Sequence, residues 1–84
     1  MKMPEGICVT ARILDDRTYD AIASGEQRWW ERIADDFWHE KFAGQNVTAI
    51  RFIKGMTDLE MIWEVTDVLL DEGIYLVTLG KRLA

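Results

Sequence analysis

The chain has 84 residues, 49% of them hydrophobic and 30% charged, which fits one small folded domain and leaves no room for a second core. Fifteen acids against ten bases give a net charge of -5, which excludes unaided, long-footprint binding to duplex DNA or RNA, since that draws on many cations releasing counterions from phosphates. With one cysteine and one histidine there is no internal disulfide and no structural zinc site, and no window approaches the roughly 18 apolar residues of a membrane span.

Met1 to Gly6 reads as a short polar lead broken by Pro4 and Gly6. From Ile7 to Leu14 the residues alternate, with Ile7, Val9, Ala11 and Ile13 on one side, so a first strand with one buried face is predicted. Cys8, a lone cysteine inside that pattern, reads as a small core residue. Asp15-Asp16-Arg17-Thr18 offers several N-cap oxygens, Tyr19, Ile22 and Ala23 recur at helical spacing, and Gly25 can end a helix, which predicts a short helix over 17–24.

Two patterns conflict in the next segment. Trp29, Ile33 and Phe37, with Trp30, Ala34 and Trp38 beside them, recur every four residues and describe one amphipathic helix over 26–42, with Ser24 and Gln27 as a capping box. The same bulky aromatics also suit an extended strand over 26–32 followed by a helix over 35–42, closed by Gly44. Asn46 to Ile53 alternates again, residues 54–58 form a turn through Gly55, and Leu59 to Thr66 completes a hairpin. A helix over 59–70 competes with that second strand, but its β-branched and aromatic content favours the strand. Asp71-Glu72-Gly73 is a turn, and Ile74 to Leu79 is the last strand.

Tyr19-Asp20-Ala21-Ile22-Ala23-Ser24-Gly25-Glu26 followed by Arg32 resembles the signature of the ASCH domain. That signature runs aromatic, Ala-Ile, polar, Gly, any residue, Lys, two more, Glu, any residue, Arg. Phe37-Trp38, Lys41-Phe42 and Gly44, then Ile50-Arg51-Phe52 with Gly55, then Met61 with Trp63-Glu64-Val65, and the closing Leu79-Gly80-Lys81-Arg82-Leu83 are similar to a short bacterial or phage-associated branch of the family. The resemblance covers about residues 12–83. It implies an α+β, mainly β fold: a small PUA-like (ASCH) β-barrel of about five strands with one or two short helices, in which the segment after Gly25 is a strand carrying pocket residues. The strand over 26–32 is adopted on that ground.

The resemblance also implies a cleft for RNA, a nucleotide or a modified nucleoside. Gln27 stands where the family has Lys, and Trp30 where it has Glu. In relatives that hydrolyse acetylated cytidine, that lysine and a following threonine belong to the catalytic set; here they are Gln27 and Arg28. Glutamine has no titratable amine, so it can hydrogen-bond a ligand but cannot act as base or nucleophile. A binding module is therefore expected, with Arg32 and Arg28 on phosphate, Gln27 on a base edge and Trp30 stacking on a base. Arg51 and Lys54 would join them if the hairpin lies beside the central strand. Arg32 has a plainer alternative as the partner of Glu31, Asp35 or Asp36, and for Trp29, Trp30 and Trp38 the alternative is core packing. His39 reads as a solvated surface residue. No cofactor or metal is implied, and an intracellular, cytoplasmic protein is expected. Two rival functions remain: an enzyme acting on a modified nucleoside or RNA, and an acidic protein-binding inhibitor of the phage counter-defence kind.

Overall fold

The computed structural model describes residues 5–84, so the first four residues of the expected polar lead lie outside the described residues. Strand β1 (Ile7–Ile13) alternates as its sequence requires: Val9, Ala11 and Ile13 face inward and are buried, while Cys8, Thr10 and Arg12 face out. Cys8 is thus an exposed residue and not a core one, because its parity in the strand sets it on the outer face. Partial desolvation still pushes its thiol pKa up, with the neighbouring Arg51 pulling it down.

Helix α1 (Asp16–Ala23) starts at Asp15, whose carboxylate accepts from the Arg17 N–H at 3.2 Å and the Thr18 hydroxyl at 2.8 Å. The helix buries Tyr19 and Ile22, and Gly25, at φ 82, turns the chain away from it. Ser24 is the C-cap of α1, its hydroxyl donating back to the Ala21 carbonyl, so it opens no capping box for a following helix.

The segment after Gly25 is extended and then helical. Strand β2 (Trp29–Ile33) pairs antiparallel with the last strand, and Ala34 N–H donates to the Gly73 carbonyl at 2.8 Å. Asp35 is extended at φ -75 and ψ 177, and its side chain accepts the Trp38 N–H at 2.9 Å to begin helix α2 (Asp36–Phe42). One unbroken helix over 26–42 is excluded: a whole strand ladder has taken its first half. The four-residue recurrence has a different origin. Trp30 on β2 and Trp38 on α2 meet edge to face at 5.3 Å, in one cluster reached from two elements.

Strands β3 (Val47–Lys54), β4 (Glu60–Asp71) and β5 (Ile74–Arg82) form an antiparallel meander. Glu72 and Gly73, both with positive φ, make the tight two-residue link between β4 and β5 that the right-handed twist of a hairpin favours. β4 is longer than the expected 59–66. Irregularities on either side of Val65 bend it, so its first part pairs with β3 and its second with β5.

The sheet order is β1-β3-β4-β5-β2, with β1 and β3 parallel. β1 and β2 are therefore the two rims. A flat sheet would hold β2 and β3 three strand spacings apart, about 14 Å, yet Trp30 of β2 meets Phe52 of β3 with ring centroids 5.5 Å apart. The sheet is curled into a half-barrel around its apolar core, with two short helices, which makes this a small α+β, mainly β fold. Phe52, Ile50, Met61, Ile22 and Val77 fill the interior, each with almost no solvent exposure. No helix among the described residues is long and apolar enough to cross a membrane.

Candidate functional site

Where the two rims face each other the half-barrel stays open. The slit is a cleft of about 420 Å³ lined by Ile13, Leu14 and Asp15 at the end of β1, Thr18 of α1, and Gln27 together with Trp29 to Arg32 on and before β2. A second concavity, about 350 Å³, adjoins it and is lined by Glu31, Arg32, Ile33, Asp35, Trp38 and Ile74. Arg32 belongs to both.

Pleating explains how an arginine comes to be there. Trp30 and Arg32 share the inner face of β2, and Trp30 is buried at 4% exposure, so Arg32 is the first inward residue past the core. Its guanidinium carbon lies 5.1 Å from the Trp30 ring centroid and 5.9 Å from that of Trp38. Nη2 donates to the Arg12 carbonyl across the slit at 3.0 Å, and Nε is buried with no acceptor. Among the described residues no carboxylate lies within ion-pairing distance of it: the two salt bridges are Arg51 with Glu60 and Lys54 with Asp20. Of the three plainer partners considered for it, Glu31, Asp35 and Asp36, none is paired with it, and Asp35 uses its carboxylate to cap α2. A buried N–H without a partner is uncommon enough to call for a cause.

The remaining expected residues divide. Gln27 lines the cleft and donates from Nε2 to the Trp29 carbonyl at 2.8 Å, which leaves its side-chain oxygen as the free acceptor among the described residues. Trp30 lines the cleft but is no open stacking platform, because packing against Trp38 and Phe52 buries its ring; Trp29, at 46% exposure, is the indole that faces solvent. Arg28 turns away, donating to the Gly80 carbonyl with its guanidinium over Trp63 at 6.0 Å. Arg51 sits on β3 at the outer face, opposite Phe52 in the pleat, and pairs with Glu60 at 3.6 Å. Lys54 is held by Asp20 at 2.9 Å, and that hydrogen bond raises its pKa. Arg28, Arg51 and Lys54 therefore do not surround a common point. The condition they required fails, since β2 and β3 are not neighbours in the sheet order.

Leu14, Asp15 and Thr18 line the cleft without having been singled out for it. Asp15-Thr18 reads in sequence as a helix start, and it is one; that the same start forms a cleft wall depends on how β1 delivers it to the open rim. Asp15 is kept ionised by the Thr18 hydroxyl and the Arg17 N–H, which lower its pKa. His39 also differs from expectation: its Nδ1 is 2.6 Å from the hydroxyl of the buried Tyr75, so it is a hydrogen-bond partner for the core and not simply a solvated side chain.

Among the described residues no group of three or more His, Cys, Asp or Glu side chains could hold a metal ion. Comparison with protein-family models, with curated proteins and with solved structures finds no match.

Proposed function

We propose that this chain is a PUA-like, ASCH-type binding module that takes a nucleoside or mononucleotide in the slit between β1 and β2. The observation that carries the reading is Arg32: a guanidinium backed by two indoles, with no ion-pair partner among the described residues, at the junction of two concavities. A cation so placed recognises an acceptor-bearing, planar or anionic group, by hydrogen bonds and by its flat face. The oxygen of Gln27 would accept from a base amine, and Trp29 would supply the apolar wall. A cleft of about 420 Å³ falls within the usual range for small-molecule sites.

Charge narrows the ligand further. Asp15 and Glu31 line the same cleft as Arg32, so a polyanion gains little there, whereas a ligand with one phosphate or none meets a single cation. RNA ranks below a nucleoside or mononucleotide on this count, and hydrolysis ranks below binding because Gln27 supplies no titratable group.

Titration of the protein with cytidine, N4-acetylcytidine, CMP and a short single-stranded RNA, followed by tryptophan fluorescence and by product analysis, tests the reading. Saturable binding of a nucleoside or mononucleotide that Arg32→Met removes is the expected result. No binding to any of the four, or binding untouched by Arg32→Met, refutes it, and turnover would move the assignment to an enzyme.

A further inference from the structure

The outer face of β2, β5 and β4 is a second surface, which borders the slit along β2, where Trp29 and Glu31 belong to both, and extends away from it over β5 and β4. Strand register sets its side chains in three rows: Trp29, Thr78 and Asp67; Glu31, Leu76 and Leu69; Ile33, Ile74 and Asp71. Large apolar side chains occur in every row and no described residue covers them, with Trp29 at 46%, Leu69 at 51%, Ile33 at 70% and Ile74 at 39% exposure. Clustered exposure of this kind marks an interaction surface, unlike apolar residues scattered singly. Each row also holds one carboxylate, Glu31, Asp67 or Asp71, and none of the three is in a salt bridge among the described residues.

We infer that this face docks a basic amphipathic helix of a partner protein. The apolar side chains of the three rows offer a seat for a helix stripe, and the three carboxylates stand beside it for flanking lysines and arginines. A shallow hollow of about 500 Å³ between Arg28, Trp29, Glu31, Leu76 and Thr78 gives a socket for one bulky side chain at the end of the stripe. Arg28 also lines that hollow, its guanidinium bonded to the Gly80 carbonyl, and three carboxylates against this one cation among the described residues of the face leave it net acidic. A second copy is the poorer occupant: it would set the same three carboxylates against their mates on two chains that each carry a net charge of -5. A nucleic acid is poorer still, because its phosphates would face those acids.

The test is a titration of the isotope-labelled chain, followed by its amide and indole resonances, with a roughly 18-residue helical peptide of Lys and Leu at amphipathic spacing. A scrambled peptide of the same composition is the control. The expected result is saturable binding that shifts Asp67, Leu69, Leu76 and the Trp29 indole. It weakens with added salt, and it weakens by about tenfold or more in the Asp67→Lys, Leu69→Ser double variant. Both substitutions lie outside the slit, so nucleoside binding is retained in that variant and the two surfaces are separated. The amide spectrum reports whether the double variant folds, and Asp71→Lys, at the exposed end of β4, serves as a second probe. The inference is overturned by absence of binding, by equal binding of the scrambled peptide, by indifference to these substitutions, by shifts centred on Arg32, or by a dimer of the free protein that masks the same residues.

Discussion

Replacing Arg32 with methionine separates a ligand-binding arginine from a structural clasp. The substitution keeps the alkyl stem against Trp30 and Trp38 and removes the charge. It loses the charged hydrogen bond from Nη2 to the Arg12 carbonyl, a bond of a class that contributes about 1.5–3 kcal/mol. It loses two cation–π contacts of about 0.5–1 kcal/mol each, part of which a thioether on an aromatic face recovers. Against this it removes a buried Nε–H without an acceptor, a defect that costs about 1–3 kcal/mol. Mid-range values of these terms leave a net loss of about 1–2 kcal/mol. Urea unfolding followed by tryptophan fluorescence reads this directly: at a slope of about 1 kcal/mol/M for so small a chain, the midpoint should fall by about 1–2 M. A loss above about 3 kcal/mol would refute the reasoning. Arg32 would then be holding the two rims together, and loss of ligand in the same variant would follow from an altered slit.

Three further outcomes are expected. His39→Ala should destabilise more than Tyr75→Phe in the same assay, since the first leaves a buried hydroxyl unpaired, at about 1–3 kcal/mol, while the second frees an exposed imidazole that water can satisfy. Phe52→Ala, at a fully buried position touching Trp30, should cost about 3–5 kcal/mol of unfolding free energy in that assay, enough to unfold much of the population of so small a domain. The Asp15 cap has a lowered folded pKa, so its contribution is complete above the unfolded value of about 3.9 and is lost as pH falls through the folded one. Thermal melting followed from about pH 6 to about pH 2.5 should show that acid-limb loss in the parent chain and less of it in Asp15→Asn, whose amide oxygen still caps α1.

Most of the strand positions were legible because the two-residue alternation from Ile7, Val47 and Leu59 onward describes one buried face, which is a local property. The segment from Glu26 to Phe42 was not decidable from its own periodicity. Its aromatics satisfy both repeats, and the choice was made by β5, some forty residues further on, which offers a ladder that a helix could not use. The full length of β4 was hidden for a related reason: irregular pairing around Val65 breaks the alternation and disguises its second half. Arg32 and Gln27 could be placed together from sequence, since five residues on and around one strand stay near each other. Arg28 and Arg51 could not be placed, because which face each takes depends on where β2 ends its turn and on a sheet order that no local pattern encodes.

Both rim strands and both helices come from residues 5–42, yet β1 and β2 do not pair with one another. The first half of the chain therefore has no ladder to form by itself: β1 waits for β3, and β2 waits for the last strand of all. On a ribosome, translation would deliver this half with no strand to pair with: β1 gains its partner when β3 leaves the exit tunnel, and β2 only when β5 does. Completion thus waits for β5 to emerge, and the aromatic-rich segment has no ladder partner until then.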